Sequence, residues 1–505
     1  MLACAAFAAQ APDSVNMRNI RTDLEFLCSE PLAGRESMTP AADTAAQFIA
    51  TEFEKAGLAP AAGGGFLQEF PLVAYGIDRQ RTRLSINGQA LKYGSDFSSG
   101  FPREAAVKAP LAFAGYGITA PEYGYDDYSG VDVRGRVVLI FDHEPQETDP
   151  RSVFNGTGHT RHGQTRIKLE NAARHGAAGL LIVAEPLRKH PSSFDPRPRN
   201  VYGPGKRANA PRQALDDDLG VPWFSVSDET ARRLLQSSGK SPAELQTAID
   251  RDLKPQSFAL PEVEVQMNAS PTNVRNGRSF NVAGLLEGSD PALRNETVIL
   301  NAHYDHLGRQ SGHIYPGAND NASGTVAVME LARMFASRSQ RPKRSILFIV
   351  FGSEEEGLLG SFYYVAHPLR PLDTTRADIN LDMIARDEAH IPQSVGVVDI
   401  PADTSNELNL VGTFQSPALR KVIEQANRHT GLELSTKFDR DHDLNALFRC
   451  DHFPFLAAGV PAVWLFGGWH PGYHEPSDTI DRLNFTKLEK VVRLAWWTAQ
   501  SLADQ

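Results

Sequence analysis

Three consecutive glutamates, at positions 354–356, follow directly on an apolar run at residues 346–351. Adjacent carboxylates repel one another, and a buried carboxylate is costly unless it is paired or binds a cation. A solvated acidic turn after a strand is the ordinary explanation of such a sequence. The remaining chemistry-bearing residues of the chain decide between that turn and a cation site.

Three other apolar runs also end close to histidine or acidic residues. These runs lie at residues 298–300, 379–381 and 460–466. The residues that follow them are His303, Asp305, Asp382 and His474, and a Gly-bounded polar loop at 317–324 adds Asp320. Imidazole and carboxylate groups are the ligands expected for Zn²⁺ or a similar divalent ion.

From about residue 263 onward, short apolar runs alternate with stretches of helical periodicity. This alternation predicts an α/β fold with a mixed, largely parallel central sheet flanked by helices. In such sheets, functional residues gather just past the carboxyl ends of the strands. We therefore expect the histidines and acids to meet at one edge, which favours a metal site over unrelated individual roles. The sequence contains no H-E-x-x-H zinc motif, no G-x-S-x-G elbow and no P-loop.

A chain of 505 residues is too long for one core. Between residues 107 and 262 the sequence changes to short β-rich runs with many Pro and Gly residues, which indicates a separate module. We expect residues 12–106 to form the N-terminal part of the α/β domain, 107–262 to be an insert, and 263–505 to complete the domain. Because the insert contains no recognisable ligand cluster, we expect it to act as a lid or to position substrate.

The composition of the chain indicates which partners are excluded, and its N-terminal residues indicate where the protein is located. A net charge of −10 argues against nucleic acid or an anionic membrane as the main partner, and no apolar run reaches the roughly 18 residues of a membrane span.

Residues 1–11 are Ala-rich and end in the A-x-A form of a signal-peptidase site, which predicts the remnant of a signal peptide and a periplasmic or secreted protein. Cys4, after Leu2 and Ala3, is an alternative site for a lipid anchor. Export would permit Cys28 and Cys450 to pair, and the sequence leaves that pairing open.

Five motifs between residues 303 and 478 carry a family resemblance. In order they are H-Y-D, G-A-N-D-N-A-S-G, E-E-E-G-L-L-G-S, L-D-M and Y-H-E-P-S-D. Together they resemble the co-catalytic two-zinc exopeptidase family, which includes secreted bacterial aminopeptidases and glutamate carboxypeptidases. Residues 127–139 and 171–180 resemble the protease-associated domain that is commonly inserted in this family. The resemblance implies a zinc exopeptidase fold with a β-rich protease-associated domain at 107–262.

The resemblance also implies a role for each matching residue. It implies two Zn²⁺ ions, with His303 and Asp382 at one ion, Glu355 and His474 at the other, and Asp320 as the bridging carboxylate. It further implies that Asp305 orients the imidazole of His303. Glu354 matches the general base that takes a proton from a water activated by the two zinc ions. These roles predict the hydrolysis of peptide substrates.

Which end of a peptide is cleaved stays open in the sequence. An aminopeptidase that releases N-terminal residues is the leading hypothesis, a carboxypeptidase of the glutamate-carboxypeptidase type is the alternative, and a non-catalytic binding protein on the same fold is a third. A carboxypeptidase needs a cationic clamp for the free carboxylate, for which the candidates are Arg386, Arg440 and Arg449. An aminopeptidase needs acidic or carbonyl groups for the free amine, for which the candidates are Asp441, Asp443 and Asp451.

Overall fold

The computed structural model describes residues 14–188, 211–216, 220–441 and 443–505. The predicted signal remnant at 1–11, with Cys4, lies outside these ranges. Each helix in the described ranges is too short or too polar to cross a lipid bilayer.

The larger of two main sheets has ten strands with a parallel centre. In spatial order the strands are Arg212–Leu215, Leu67–Ile77, Pro271–Leu286, Ser345–Phe351, Thr297–His303, Thr375–Asp382, Ala462–Phe466, Glu407–Val411 and Glu433–Ser435, and Ala59–Pro60 pairs beside Pro271–Leu286. The four strands from Ser345–Phe351 to Ala462–Phe466 run parallel to one another. Their neighbours on both sides are antiparallel, so the sheet is mixed.

Helices cover both faces of this sheet because its central strands are apolar on both faces. In the strand Thr297–His303, Val298 and Leu300 point into one core and Ile299 points into the other, as the alternation of side chains along a strand requires. The helices of this layer are Met17–Leu27, Pro40–Lys55, Ser323–Ala336, Leu359–Ala366, Pro417–Ala426, His452–Ala457 and Phe485–Asp504. The predicted α/β architecture is confirmed.

The second main sheet has eight strands and its own apolar core. In spatial order the strands are Gln89–Ala90, Arg83–Ile86, Phe258–Ala269, Ala105–Phe113, Val137–Phe141, Gly179–Val183, Trp223–Val226 and Phe97–Ser99. Its helices are Thr165–Arg174, Asp228–Leu235 and Pro242–Asp252. Two short hairpins complete the strands: Thr119–Ala120 with Tyr125–Asp126, and Arg309–Gln310 with His313–Ile314.

The predicted boundaries of the insert differ from those of this smaller sheet. Strands Arg83–Ile86 and Phe97–Ser99 lie before residue 107 yet belong to the smaller sheet, where the ring of Phe97 stacks on Phe224 at 5.4 Å. Strand Phe258–Ala269 also continues past residue 262. The reason is physical: turn signals mark where a short strand ends, but they do not reveal the sheet with which it pairs. The identity of this unit as a protease-associated domain stays a prediction.

Candidate metal centre

The predicted histidine and acidic residues meet at the carboxyl edge of the four parallel strands. His303 and Asp382 are the last residues of their strands, and Glu354 and Glu355 lie just beyond Phe351. Among the seven predicted site residues, Glu355 is half-buried and the other six are buried. The sequence therefore predicted this juxtaposition, and the three glutamates are not a solvated turn.

One group of donor atoms forms around His303. Its Nε2 lies 3.6 Å from Oδ1 of Asp320 and 3.5 Å from Oδ1 of Asp382. Ligand atoms on a common tetrahedral zinc ion lie about 3.3 Å apart, given bonds of roughly 2.0–2.1 Å. Nε2 of His303 and Oδ1 of Asp382 have no hydrogen-bond partner in the part of the chain that the structure describes. These buried unsatisfied atoms fit a metal ion, because a buried polar atom is costly without a partner.

A second group forms around His474. Its Nε2 lies 3.1 Å from Oδ2 of Asp320 and 3.2 Å from Oε2 of Glu355. Asp320 therefore offers one carboxylate oxygen to each group. This arrangement is what a carboxylate that bridges two ions requires.

Asp478 fixes the backbone that carries Asp320. Its Oδ2 accepts hydrogen bonds from the backbone N–H groups of Asn319 and Asp320, both at 3.0 Å. The side chain of Asn319 in turn accepts a hydrogen bond from the backbone N–H of Ala385 at 2.8 Å. The backbone at Asp320 is thus fixed by buried polar groups on both sides.

Asp305 contacts His303 and also the loop that carries the glutamates. Nδ1 of His303 is hydrogen-bonded to the backbone carbonyl of Asp305 at 3.2 Å, whereas the carboxylate lies 3.7 Å away. That carboxylate instead accepts hydrogen bonds from the backbone N–H groups of Glu354 (3.0 Å) and Glu355 (3.3 Å). The reason is local geometry: the loop after Phe351 folds back over the side chain of Asp305. Asp305 therefore links His303 to both glutamates.

Comparison with known proteins identifies the domain that carries these groups. Residues 281–499, which contain every residue of both groups, match the sequence profile of peptidase family M28. Over these residues the chain is similar to peptidase family M28.

Several relatives extend over most of the chain. Aminopeptidase YwaD of Bacillus subtilis (strain 168) is 25% identical over 421 residues, which are 82% of this chain and 71% of that protein. The probable lipoprotein aminopeptidase LpqL of Mycobacterium tuberculosis is 26% identical over 425 residues, 80% of this chain and 68% of that protein. An aminopeptidase from Aneurinibacillus sp. strain AM-1 shares the fold, with a TM-score of 0.50, 19% identity, and coverage of 98% of this chain and 95% of that one.

A cleft opens beside the two groups of donor atoms. Besides the acidic residues and His474, its lining includes Leu358, Met383, Phe448, Arg449, Trp464, Trp469 and Tyr473. Glu354 lines the same cleft, and its Oε2 lies 3.6 Å from Nε2 of His303. Burial raises the pKa of Glu354 well above its ordinary value; the charge of His303 opposes this effect, and neighbouring carboxylates add to it. A carboxyl group in this setting is suited to accept a proton and release it again.

The residues predicted to recognise the substrate differ in whether they line the cleft or contact other groups of the protein. Arg449 lines the cleft, whereas Arg386 lies 3.8 Å from Asp478 and Arg440 packs over the ring of Phe414. Asp451 is fully buried and accepts a hydrogen bond from Ser361 at 2.5 Å. Asp441 accepts hydrogen bonds from the backbone N–H groups of residues 443 and 444, which form a turn. Asp451 and Asp441 therefore have structural partners.

Two side chains at this candidate metal centre were not predicted. His306 lies 2.6 Å from Glu355, and Sγ of Cys450 lies 3.0 Å from Oδ2 of Asp382. The histidine was visible as the last residue of H-Y-D-H, but its spacing alone does not separate a ligand from a surface residue. Cys450 is a free thiol, as is Cys28, so the possible disulfide between them is not formed.

Proposed function

We propose that this M28 peptidase is a zinc-dependent aminopeptidase that hydrolyses the N-terminal peptide bond of peptide substrates. One observation carries the proposal: Asp320 presents one oxygen to each of two groups that combine a histidine with a further acid. The names of YwaD and LpqL, both aminopeptidases, support the choice of the N-terminal bond.

The donor set fits two zinc ions. His303 and Asp382 would hold one ion, Glu355 and His474 would hold the other, and Asp320 would bridge them. Imidazole nitrogen with carboxylate oxygen suits zinc, and the unsatisfied atoms of His303 and Asp382 fit a cation. When bound, the ions supply Lewis-acid chemistry: they lower the pKa of water to roughly 7 and stabilise negative charge on the scissile carbonyl.

The protein's own groups would then move the proton and hold the geometry. Glu354 accepts a proton from the attacking water and passes it to the leaving amine, as a general acid–base group does. Asp305 keeps Glu354 and Glu355 in position through their backbone N–H groups. The backbone carbonyl of Asp305 accepts a hydrogen bond from Nδ1 of His303, which leaves Nε2 free to bind metal.

One observation favours a second candidate, a carboxypeptidase. The guanidinium of Arg449 lies in the cleft wall, packs over the ring of Trp469 at 5.5 Å and donates from Nε to the carbonyl of Leu444 at 2.7 Å. A guanidinium held in this way is suited to bind a carboxylate. A peptide with a free C-terminus would meet such a group if it entered the cleft in the reverse direction.

Substrate panels separate the two activities. We expect zinc-loaded enzyme to cleave aminoacyl-p-nitroanilides and to leave N-acylated dipeptides intact. Cleavage of the blocked dipeptides alone would make the protein a carboxypeptidase. A fully metallated protein that cleaves neither class would be a binding protein on the same fold. The variant Glu354→Gln, purified in parallel, controls for contaminating peptidases.

We also propose that the protein acts outside the cytoplasm, in the periplasm or as a secreted or lipid-anchored protein. The A-x-A sequence at residues 9–11 and the similarity to the probable lipoprotein aminopeptidase LpqL support this location. Fractionation of cells that express the full-length gene tests it. Recovery of the protein in the cytoplasmic fraction alone would contradict it.

A further inference from the structure

His306 is the part of the site that the proposed mechanism does not use. Its ring is fully buried, and Nδ1 lies 2.6 Å from Oε1 of Glu355 and 3.9 Å from Oδ2 of Asp320. Its ring centroid lies 5.6 Å from that of His474, with 69° between the ring planes. Donor atoms of His306, Asp320, Glu355 and His474 all lie within 4.8 Å of one another.

The contact with Glu355 leaves polar atoms of His306 available. The ring has two nitrogens, and neither is satisfied by a hydrogen bond from or to another residue of the described ranges. Both nitrogens of this buried ring therefore lack a settled partner in the protein. A buried polar group left without a partner costs about 1–3 kcal/mol. A cation bound between His306 and Glu355 would remove this cost.

The backbone makes room for this ring. Gly317 has a φ of +56°, and a Cβ at this position would lie 2.6 Å from two ring carbons of His306 and 2.2 Å from the carbonyl oxygen of Asp320. A side chain at 317 would therefore displace the imidazole or the bridging residue. The turn that carries Asp320 and the ring of His306 are shaped together.

We propose that His306 is a further protein ligand of the zinc ion held by Glu355 and His474. This inference rests on the proposed two-zinc function. It gives that ion four protein ligands, two imidazoles and two carboxylates, which fill a tetrahedral shell. The other ion has His303, Asp320 and Asp382, so one position stays open, as catalytic zinc sites require. That ion's ligand His303 is the one next to Glu354, so the open position and the proposed general base belong to the same ion.

The unequal ligand sets predict ordered loading, with the first zinc at the His306 position. X-ray absorption at the zinc edge, on full-length protein with one zinc per chain, counts bound imidazoles. We expect two in the wild type and one in His306→Gln, which keeps the side-chain volume. Competition with a chromophoric chelator should show the first zinc bound at least about 100-fold more weakly in the variant, the upper range for an outer-shell partner.

His452→Gln is the matched control. His452 is also fully buried, packs near Trp464 at 5.9 Å and belongs to neither ligand group. We expect this variant to keep two imidazoles and wild-type zinc affinity.

Each outcome decides the inference. Loss of one imidazole in His306→Gln alone supports it. An unchanged imidazole count in that variant overturns it, even if affinity falls, because His306 would then only position Glu355. If His306→Gln does not fold, the wild-type count decides: two imidazoles on the first zinc support the inference and one overturns it.

The outcomes also separate this inference from the proposed function. A wild type with two imidazoles on its first zinc that cleaves no peptide contradicts the aminopeptidase proposal alone. A wild type that cleaves peptides with one imidazole there contradicts the role of His306 alone.

Discussion

Both main sheets bury a cluster of charged groups, and only one of these clusters fits a metal. The large-sheet cluster comprises His303, His306, Asp320, Glu354, Glu355, Asp382 and His474. The small-sheet cluster comprises His143, Glu144, Glu147, Lys168 and Glu185. Proximity does not distinguish them, because donor atoms of His143, Glu147 and Glu185 also lie within 4.8 Å of one another.

The small-sheet cluster finds its partners within the protein. Nζ of Lys168 donates to the backbone carbonyls of Tyr116 at 2.5 Å and His143 at 2.6 Å. Burial lowers the pKa of His143, but the carboxylates of Glu185 and Glu147 outweigh burial and raise it well above its ordinary value. The ammonium of Lys168 therefore gives this cluster a cation of its own.

The large-sheet cluster has no such buried ammonium group in the described ranges. No Lys or Arg of the described ranges forms an ion pair with Asp320, Glu354 or Asp382, and Nε2 of His303 has no hydrogen-bond partner there. Buried carboxylates without a resident cation are costly. Buried carboxylates with no lysine or arginine beside them therefore indicate a metal site, whereas clustering of donor atoms alone does not.

Metal removal should separate the two clusters most strongly. Treatment with 1,10-phenanthroline followed by gel filtration should lower peptidase activity by about 10³-fold or more, since the ions supply the Lewis acid. Amide hydrogen exchange should rise at residues 318–323 and 352–358 and stay unchanged at 137–141. Added zinc should restore both properties. Full activity in protein shown to be zinc-free would contradict the comparison.

Removal of the resident cation should damage the small-sheet cluster alone. Lys168→Met leaves the buried carbonyls of Tyr116 and His143 without their ammonium donor, so we expect a loss of about 1–3 kcal/mol in the free energy of unfolding. Urea denaturation measures this loss, and zinc content should stay at the wild-type level. Lys421→Met, at an exposed position, is the control. Equal stability of the two variants would show that Lys168 does not balance the cluster.

Cys450 should tune the affinity for one zinc ion. Its thiol donates to Oδ2 of Asp382 at 3.0 Å, which leaves Oδ1 for the metal. Cys450→Ala removes this donor, so we expect zinc affinity to fall about 10-fold, as for other outer-shell partners. Cys450→Ser keeps a donor and should bind zinc nearly as the wild type does. The hydrogen bond has no role if both variants match the wild type in a chelator competition.

The smallest expected effect comes from removing a hydrogen bond between the smaller unit and the domain that contains the larger sheet. Nδ2 of Asn155, from the smaller unit, donates to the backbone carbonyl of Asp439 at 2.9 Å, ahead of the loop that brings Phe448 and Arg449 to the cleft. Asn155→Ala removes a hydrogen bond worth about 1 kcal/mol. We expect a several-fold rise in KM with kcat unchanged, as a substrate-positioning role for the smaller unit requires. Gln266→Ala, exposed on the smaller sheet, should change neither constant; equal KM in both variants would argue against that role.

The sequence predicted the strands and most of the ligand groups because both leave strong local signals. Buried parallel strands are continuous apolar runs, as at 346–351, and their carboxyl ends must share one edge. The sequence did not predict the role of the Asp305 carboxylate or the approach of His306. Both residues follow the end of a strand at His303, where the alternation of side chains stops and the loop path decides which groups turn inward.

The boundary of the smaller unit was missed for a related reason. Strand Arg83–Ile86 pairs with Phe258–Ala269, more than 170 residues later in the chain. Turn signals and local periodicity carry no information about a partner so distant. Cys450 was likewise noted in the sequence, but its contact with Asp382 depends on two segments that meet only in the folded chain.

The division of labour between Glu354 and Glu355 is the central claim, and zinc stoichiometry measured alongside kcat tests it directly. Glu354→Gln should keep two zinc ions per chain, because both ligand groups stay intact, and should lose about 10²–10⁴-fold in kcat through loss of proton transfer. Glu355→Gln, the matched neighbour, should lose zinc from one position as well as activity. Zinc lost from Glu354→Gln and retained in Glu355→Gln would contradict the account and exchange the two roles.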